Sequence, residues 1–233
     1  MLEELKQEVC RANQALVEHG LVRLTFGNVS GIDAQRRYVV IKPSGVPYSE
    51  LEPEQMVVVD LAGNAVEGDL RPSTDTPTHL LLYQHFEQIG GITHVHSRFA
   101  TMFAQARQEI PCLGTTHADH FDGPVPVTRP LSQAEVEQAY EANTARVILE
   151  RFAHLDPSAM PAVLVAGHGP FTWGRNAAVS VENAVALEVV AEMAFGTRVI
   201  DVNAPDLEPY VLHKHRERKH GKDAYYGQDG TDR

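Results

Sequence analysis

The first twenty residues place apolar side chains at helical spacing, with Leu5, Val9, Ala12 and Leu16 on one stripe and polar residues between them. Residues that are three or four positions apart share one face of a helix. The pattern therefore predicts an amphipathic helix over residues 2–19, with its apolar face turned towards a core.

Short β-rich runs and further helical patterns follow along the chain. Runs of branched apolar residues predict strands, whereas longer stretches that open with a capping residue predict helices. The predicted strands cover residues 37–42, 56–60, 94–96, 125–128 and 162–166. The predicted helices cover residues 76–86, a segment capped by Ser97, and residues 132–153, 177–195 and 205–221.

Strands occur both in succession and between helices, which favours an α/β fold with a mixed central sheet covered by helices. The run at residues 27–31 contains two glycines and an asparagine and is predicted to be a turn. The chain has 233 residues, of which 43% are hydrophobic and 22% are charged, enough for one sizeable core. We therefore predict a single domain over residues 1–233.

The overall charge and the cysteine content narrow the function classes. The formal net charge is −11, which disfavours non-specific binding to nucleic acids or anionic membranes, because both depend on excess lysine and arginine. The acidic start and the lack of a long apolar run predict a soluble, cytoplasmic protein. Cys10 and Cys112 lie in unrelated contexts, so neither a disulfide framework nor a paired-cysteine zinc site is predicted.

Two histidines, His94 and His96, stand two residues apart on a predicted strand, so both imidazoles lie on the same face. Asp75, before a predicted helix, and His168, after an apolar run, are the candidates for the remaining ligands. Three imidazoles and one carboxylate suit zinc or a similar divalent ion. For His168 alone, a turn histidine bonded to a carbonyl is an equally good interpretation.

Three short segments carry groups that can bind an anion. Residues 42–45 supply Lys42, the Ser44 hydroxyl and a turn at Gly45, and residues 73–74 supply hydroxyls near a predicted helix start. Asn28 offers a further polar contact. Taken singly, each segment is more simply explained as an ordinary turn or cap.

Titratable groups are dense at residues 115–120, where Asp119 is a candidate for proton transfer. The alternative is a solvated loop. Residues 213–220 concentrate positive charge in an otherwise acidic chain, which is typical of a cation-rich helix end.

Seven segments in one order closely resemble the class II aldolase/adducin family, and in particular its sugar-phosphate epimerases. The resemblance runs from residue 2 to residue 228. The segments are residues 27–30, 42–45, 73–79, 94–97, 114–119, 168–171 and 219–228.

The resemblance implies a three-layer α/β/α domain with a largely antiparallel sheet. It also implies a C4 homotetramer, active sites between subunits that the tail at residues 222–233 reaches, and Zn²⁺ or another divalent cation such as Mn²⁺. The implied metal ligands are Asp75, His94, His96 and His168, the implied phosphate-binding residues are Asn28, Lys42, Ser44, Gly45, Ser73 and Thr74, and the implied catalytic residues are Asp119, Tyr226 and, from the neighbouring chain, His215.

The reaction implied for this branch interconverts L-ribulose 5-phosphate and D-xylulose 5-phosphate, a step of arabinose or ascorbate breakdown. The hydrogen on C4 is not next to the carbonyl and is not acidic, so inversion needs cleavage and re-formation of the C3–C4 bond. A metal would stabilise the charge that cleavage leaves. Asp119 and Tyr226 would exchange protons with the C4 oxygen on opposite faces.

An aldolase of the L-fuculose-phosphate type is the main alternative, because it shares the metal and phosphate sites. It typically has glutamate where this chain has Asp75, so the shorter carboxylate favours the epimerase. A methylthioribulose-phosphate dehydratase is disfavoured by the context of Asp119 and of residues 225–226. A non-catalytic adducin-like interaction domain would be expected to have lost its ligands, and a purely structural zinc site would favour cysteine.

Overall fold

The computed structural model describes residues 2–220 and residues 224 and 225 of the chain. Within them, seven helices and seven strands form along the sequence. The helices are α1 (Glu3–Glu18), α2 (Thr76–His85), α3 (Arg98–Ala106), α4 (Thr115–Ala118), α5 (Gln133–Arg151), α6 (Ala177–Ile200) and α7 (Pro209–His220). The strands are β1 (Asn28–Ile32), β2 (Tyr38–Ile41), β3 (Val57–Asp60), β4 (Ala65–Glu67), β5 (Gly91–His94), β6 (Ala162–Leu164) and β7 (Pro170–Gly174).

The seven strands form one sheet in the order β4-β3-β2-β1-β5-β7-β6. Every ladder between them is antiparallel, and among the described residues parallel pairing occurs at a single bridge, between Val127 and Leu164. The register aligns Asn28 with His94 and His94 with Phe171 across three adjacent strands. This row lies at one end of these strands, where β5 ends and β7 begins.

Helices cover both faces of the sheet. On one face, α1 and the first half of α6 bury Val9, Leu16 and Val181 against Val29 and Val40 of β1 and β2. On the other face, α2 and α5 pack together over a larger core. The predicted three-layer α/β/α arrangement is therefore confirmed. None of the described helices is long and apolar enough to cross a membrane.

The predicted turn at residues 27–31 is wrong, because Asn28–Ile32 form the central strand β1. The glycine that favoured a turn has a packing role. A Cβ at Gly31 would lie 2.9 Å from a Leu5 methyl and 3.0 Å from a Val9 methyl, so a larger residue would displace side chains of α1 that pack against the strand.

Other boundaries also differ from the predicted ones. The strand predicted at residues 125–128 is reduced to isolated bridges, α6 continues to Ile200, and α7 begins at Pro209. Strands β4 and β7 were not predicted. A proline opens β7, where its missing N–H is tolerated, and this composition does not stand out as a strand in the sequence.

Candidate metal centre and phosphate pocket

A pocket of about 400 Å³ opens where β5 ends and β7 begins. It brings together all ten residues for which metal or phosphate binding is predicted. These residues are Asn28, Lys42, Ser44, Gly45, Ser73, Thr74, Asp75, His94, His96 and His168. Segments that are remote in the sequence therefore converge on one cavity.

Three imidazoles meet at the inner end of this pocket. One nitrogen from each of His94, His96 and His168 lies within 4.8 Å of the others, and the Nε2 atoms of His94 and His96 are 3.1 Å apart. The three ring centroids are 4.8 to 5.0 Å from one another. Converging nitrogens at this spacing can hold a divalent ion, for which imidazole is a favoured ligand.

The backbone fixes the orientation of the His94 ring. Its Nδ1 donates a hydrogen bond to the Pro170 carbonyl at 2.9 Å, and the ring stacks on Phe171 with centroids 4.1 Å apart. Because a carbonyl only accepts, Nδ1 carries the hydrogen and Nε2 keeps its lone pair. Burial also lowers the pKa of His94 and of His168, so both rings are neutral and able to bind a cation at pH 7.

The β5 strand ends at His94, but the alternation of its side chains continues for two more residues. Val95 is buried in the core beneath α1, whereas His96 emerges in the pocket beside His94. Gly169 faces this segment across the gap. A Cβ there would lie 2.9 Å from the Val95 carbonyl oxygen and 3.1 Å from the His96 ring. Glycine therefore allows the segment that carries His168 to approach the other two histidines.

Asp75 lies at the start of α2 and lines the same pocket, although it is not one of the three residues whose ligand atoms converge within 4.8 Å. Its carboxylate accepts a hydrogen bond from Asn28 Nδ2 at 2.7 Å. Burial raises the pKa of the Asp75 carboxyl, but its polar contacts, including the hydrogen bond from Asn28, outweigh burial and lower it. Asp75 is thus an ionised carboxylate beside the imidazoles.

A buried network behind the pocket joins α2 to β1. The Ser30 hydroxyl lies 2.7 Å from His79 Nδ1 and 2.9 Å from the Tyr83 hydroxyl. Asn28 and Ser30 are on the same face of β1, and Asp75 and His79 are one helical turn apart. The contacts of Asn28 with Asp75 and of Ser30 with His79 therefore form two successive cross-links that fix the carboxylate relative to the sheet.

Lys42 contributes a buried cation to the lining of the pocket. The residue is 2% exposed, and its ammonium donates hydrogen bonds to the carbonyls of Pro43 and Val46 and lies 4.8 Å from the centre of the Tyr48 ring. Burial lowers the Lys42 pKa to about 8, so the group remains mostly cationic at pH 7. Two of its three N–H donors are used by the loop, which leaves one for a ligand.

The two predicted phosphate turns are joined to each other by their backbones. The Ser44 N–H donates to the Arg71 carbonyl at 2.9 Å, and the Ser73 N–H donates to the Lys42 carbonyl at 3.0 Å. Gly45 has a φ of +73°, a conformation that favours glycine. Ser44, Ser73 and Thr74 line the pocket together with Lys42.

The predicted proton-transfer residues form a separate cluster. Asp119 accepts hydrogen bonds from His215 at 3.0 Å and from Arg218, and neither Asp119 nor His215 is among the described residues that line the pocket. Burial raises the Asp119 pKa, but the bonds from Arg218 and His215 outweigh this and lower it. Tyr226 and most of the predicted tail lie outside the described residues.

The structure adds residues to the pocket that sequence reasoning did not single out, among them Phe26, Tyr140 and Glu141. Tyr140 and Glu141 of α5 line the cavity, and Phe26 stacks on His96 with ring centroids 6.3 Å apart. Tyr140 and Glu141 lie within a long helical pattern that opens with a capping box. The helix is broken at Ala139, just before these two residues. The sequence contains no signal for this break and therefore none for their place in the pocket.

Residues 7–195 match the family model described as Class II Aldolase and Adducin N-terminal domain. The chain is 51% identical over 227 residues to L-ribulose-5-phosphate 4-epimerase UlaF of Salmonella paratyphi C (strain RKS4594), across 97% of this chain and 100% of that protein.

Two solved aldolases share the fold. An L-fuculose 1-phosphate aldolase structure is 28% identical with a TM-score of 0.75, across 92% of this chain and 95% of that one. The L-fuculose-1-phosphate aldolase of Thermus thermophilus is 22% identical with a TM-score of 0.65, across 87% and 98% of the two chains, and shows the fold alone.

The imidazole triad makes a direct prediction about metal content. In His96→Ala, zinc affinity should fall by more than the roughly 10–100-fold that follows loss of an outer-shell partner, because a ligand itself is removed. His96 is exposed, so the substitution leaves the core intact. Competition with a chromophoric chelator measures the affinity, and the exposed His154→Ala serves as the control. Equal zinc affinity in His96→Ala and His154→Ala would contradict the site.

Proposed function

The chain belongs to the class II aldolase and adducin family, and from this membership we propose that it is an L-ribulose-5-phosphate 4-epimerase, with Zn²⁺ or another divalent ion such as Mn²⁺ at the histidine triad. Identity of 51% to an epimerase over nearly the whole chain supports this choice within the family. Asp75 supports it as well, since the aldolase branch is expected to carry glutamate there.

The observation that carries the proposal is the combination of groups that line one pocket. Three imidazoles and the Asp75 carboxylate share this pocket with Lys42 and the hydroxyl-bearing turns. A short sugar phosphate needs both sets, because its carbonyl and hydroxyl oxygens suit a bound cation and its phosphate dianion suits an ammonium and hydroxyls. The cavity of about 400 Å³ is within the usual size range of small-molecule sites.

Each of the two sets of groups has a defined task in the proposed reaction. A divalent cation at the triad supplies Lewis-acid stabilisation of the negative charge that scission of the C3–C4 bond leaves on the sugar oxygens. The proposed phosphate-binding residues are Asn28, Lys42, Ser44, Gly45, Ser73 and Thr74. Holding the phosphorylated aldehyde while its carbonyl face turns favours re-addition over release, which separates epimerisation from net cleavage.

Proton transfer is assigned to Asp119 and Tyr226, assisted by His215. The lowered pKa of Asp119 keeps its carboxylate ionised at pH 7, which is the form that can accept a proton from the C4 hydroxyl. Asp119 and His215 contact each other but do not line the pocket of their own chain. The proposal therefore requires them to reach the pocket of an adjacent copy, which a homotetramer with sites between subunits provides.

The reaction itself is tested by incubating the protein with L-ribulose 5-phosphate and zinc and identifying the products by ¹³C NMR. We expect D-xylulose 5-phosphate with only traces of free aldehyde. Chelation should abolish the reaction and added zinc should restore it. Predominant net cleavage to glycolaldehyde phosphate would favour the aldolase, and a lack of turnover in the zinc-loaded protein would contradict both.

Subunit mixing tests the shared site. His96→Ala and Asp119→Asn are each expected to be inactive, but co-assembled at equal amounts they should recover up to about one quarter of wild-type activity, because some sites then combine an intact pocket with an intact Asp119. Mixing His96→Ala with His168→Ala is the matched control, since both changes affect the same pocket. Recovery in neither mixture, despite proven mixed assembly, would place the whole site within one chain.

A further inference from the structure

The helix α5 is interrupted at Ala139, whose backbone angles, φ −165° and ψ 76°, lie far from helical values. The segments before and after this residue are regular, and Tyr140 and Glu141, which follow it, line the pocket. Interruptions of this kind cost free energy and persist only where surrounding contacts fix them. The contacts around Ala139 are therefore informative about what the break achieves.

Two buried side chains hold the broken segment. Asn143, which is 3% exposed, donates a hydrogen bond from Nδ2 to the Glu135 carbonyl at 2.7 Å. In a continuous helix the N–H of Ala139 would reach this carbonyl. Thr78 of α2 donates to the Glu141 carbonyl at 2.7 Å, which ties the segment after the break to the helix that begins at Asp75.

The break directs Tyr140 towards the third histidine. The Tyr140 hydroxyl lies 3.3 Å from Nδ1 of His168, and the two ring centroids are 5.9 Å apart. This contact has a counterpart at His94, where Nδ1 is engaged by the Pro170 carbonyl. At both histidines a partner occupies Nδ1, which leaves Nε2 as the nitrogen available to a cation.

We propose that Tyr140 is a positioning residue for the metal centre, held by the break in α5 so that its hydroxyl oxygen accepts a hydrogen bond from His168 Nδ1. This contact selects the tautomer in which Nε2 carries the lone pair and limits rotation of the ring. His168 follows Gly167 in a turn, so the strand pairing that holds His94 does not hold its ring. The inference rests on the metal centre of the proposed function.

The central test is zinc affinity of Tyr140→Phe, measured without substrate by competition with a chromophoric chelator. The substitution removes only the hydroxyl, and affinity should fall by about 10-fold, the lower end of the range for outer-shell partners. Tyr38→Phe, on β2, is the matched control and should bind zinc like the wild type. Wild-type affinity in Tyr140→Phe, or an equal loss in both variants, would overturn the proposal.

A second readout reports on the tautomer. In the zinc-loaded wild type, the ¹⁵N spectrum of the imidazoles should show a slowly exchanging hydrogen on His168 Nδ1, and in Tyr140→Phe this hydrogen should exchange faster because its acceptor is gone. A change in packing alone would not produce that difference. Identical exchange in the two proteins would count against the hydrogen bond.

A double-mutant cycle tests whether the helix break acts through the hydroxyl. Asn143→Ala should weaken zinc binding in the wild-type background and have little further effect in Tyr140→Phe. Equal losses in both backgrounds would overturn this role for the break. These measurements use zinc alone, so a protein that binds zinc as described yet fails to epimerise L-ribulose 5-phosphate would overturn the proposed reaction and leave this inference standing.

Discussion

Three neutral imidazoles that point their lone pairs at one spot form the interaction on which the rest of the structure depends. Burial is the main cause that lowers the pKa of each of the three rings, because it disfavours the charged form. The arrangement is stabilised when a cation binds. The sheet register imposes it, because pairing of β5 with β7 sets His94 against Phe171 and the Pro170 carbonyl.

The remaining parts of the site are positioned relative to this point. Strand β1 carries Asn28 and Ser30 on the face that meets α2, and their contacts fix Asp75 and His79 beside the imidazoles. Lys42 follows β2 and lines the same pocket, and backbone hydrogen bonds join its loop to residues 71 and 73, just before Asp75. A ligand that contacts both Lys42 and the imidazoles would therefore be bound by segments that are hydrogen-bonded to one another.

Much of this arrangement could be predicted from the sequence. In extended backbone, His94 and His96 lie on one face and Val95 lies on the other, so the sequence alone predicts that the two imidazoles are adjacent. The predicted metal and phosphate residues do share one pocket. The turn predicted at residues 27–31 is wrong, because glycine is found both in turns and where two elements pack closely. Gly31 is a case of the second kind, since it lies against α1. The position of Tyr140 in the pocket could not be predicted, because the sequence pattern of this capped helix does not indicate a break at Ala139.

The most direct test of the central claim is X-ray absorption at the zinc edge, recorded with and without L-ribulose 5-phosphate. The account predicts a first shell with three imidazole nitrogens at about 2.0–2.1 Å and additional oxygen ligands that change when the sugar phosphate is added. A shell with fewer than three nitrogens, or one that the sugar phosphate leaves unaltered, would contradict it.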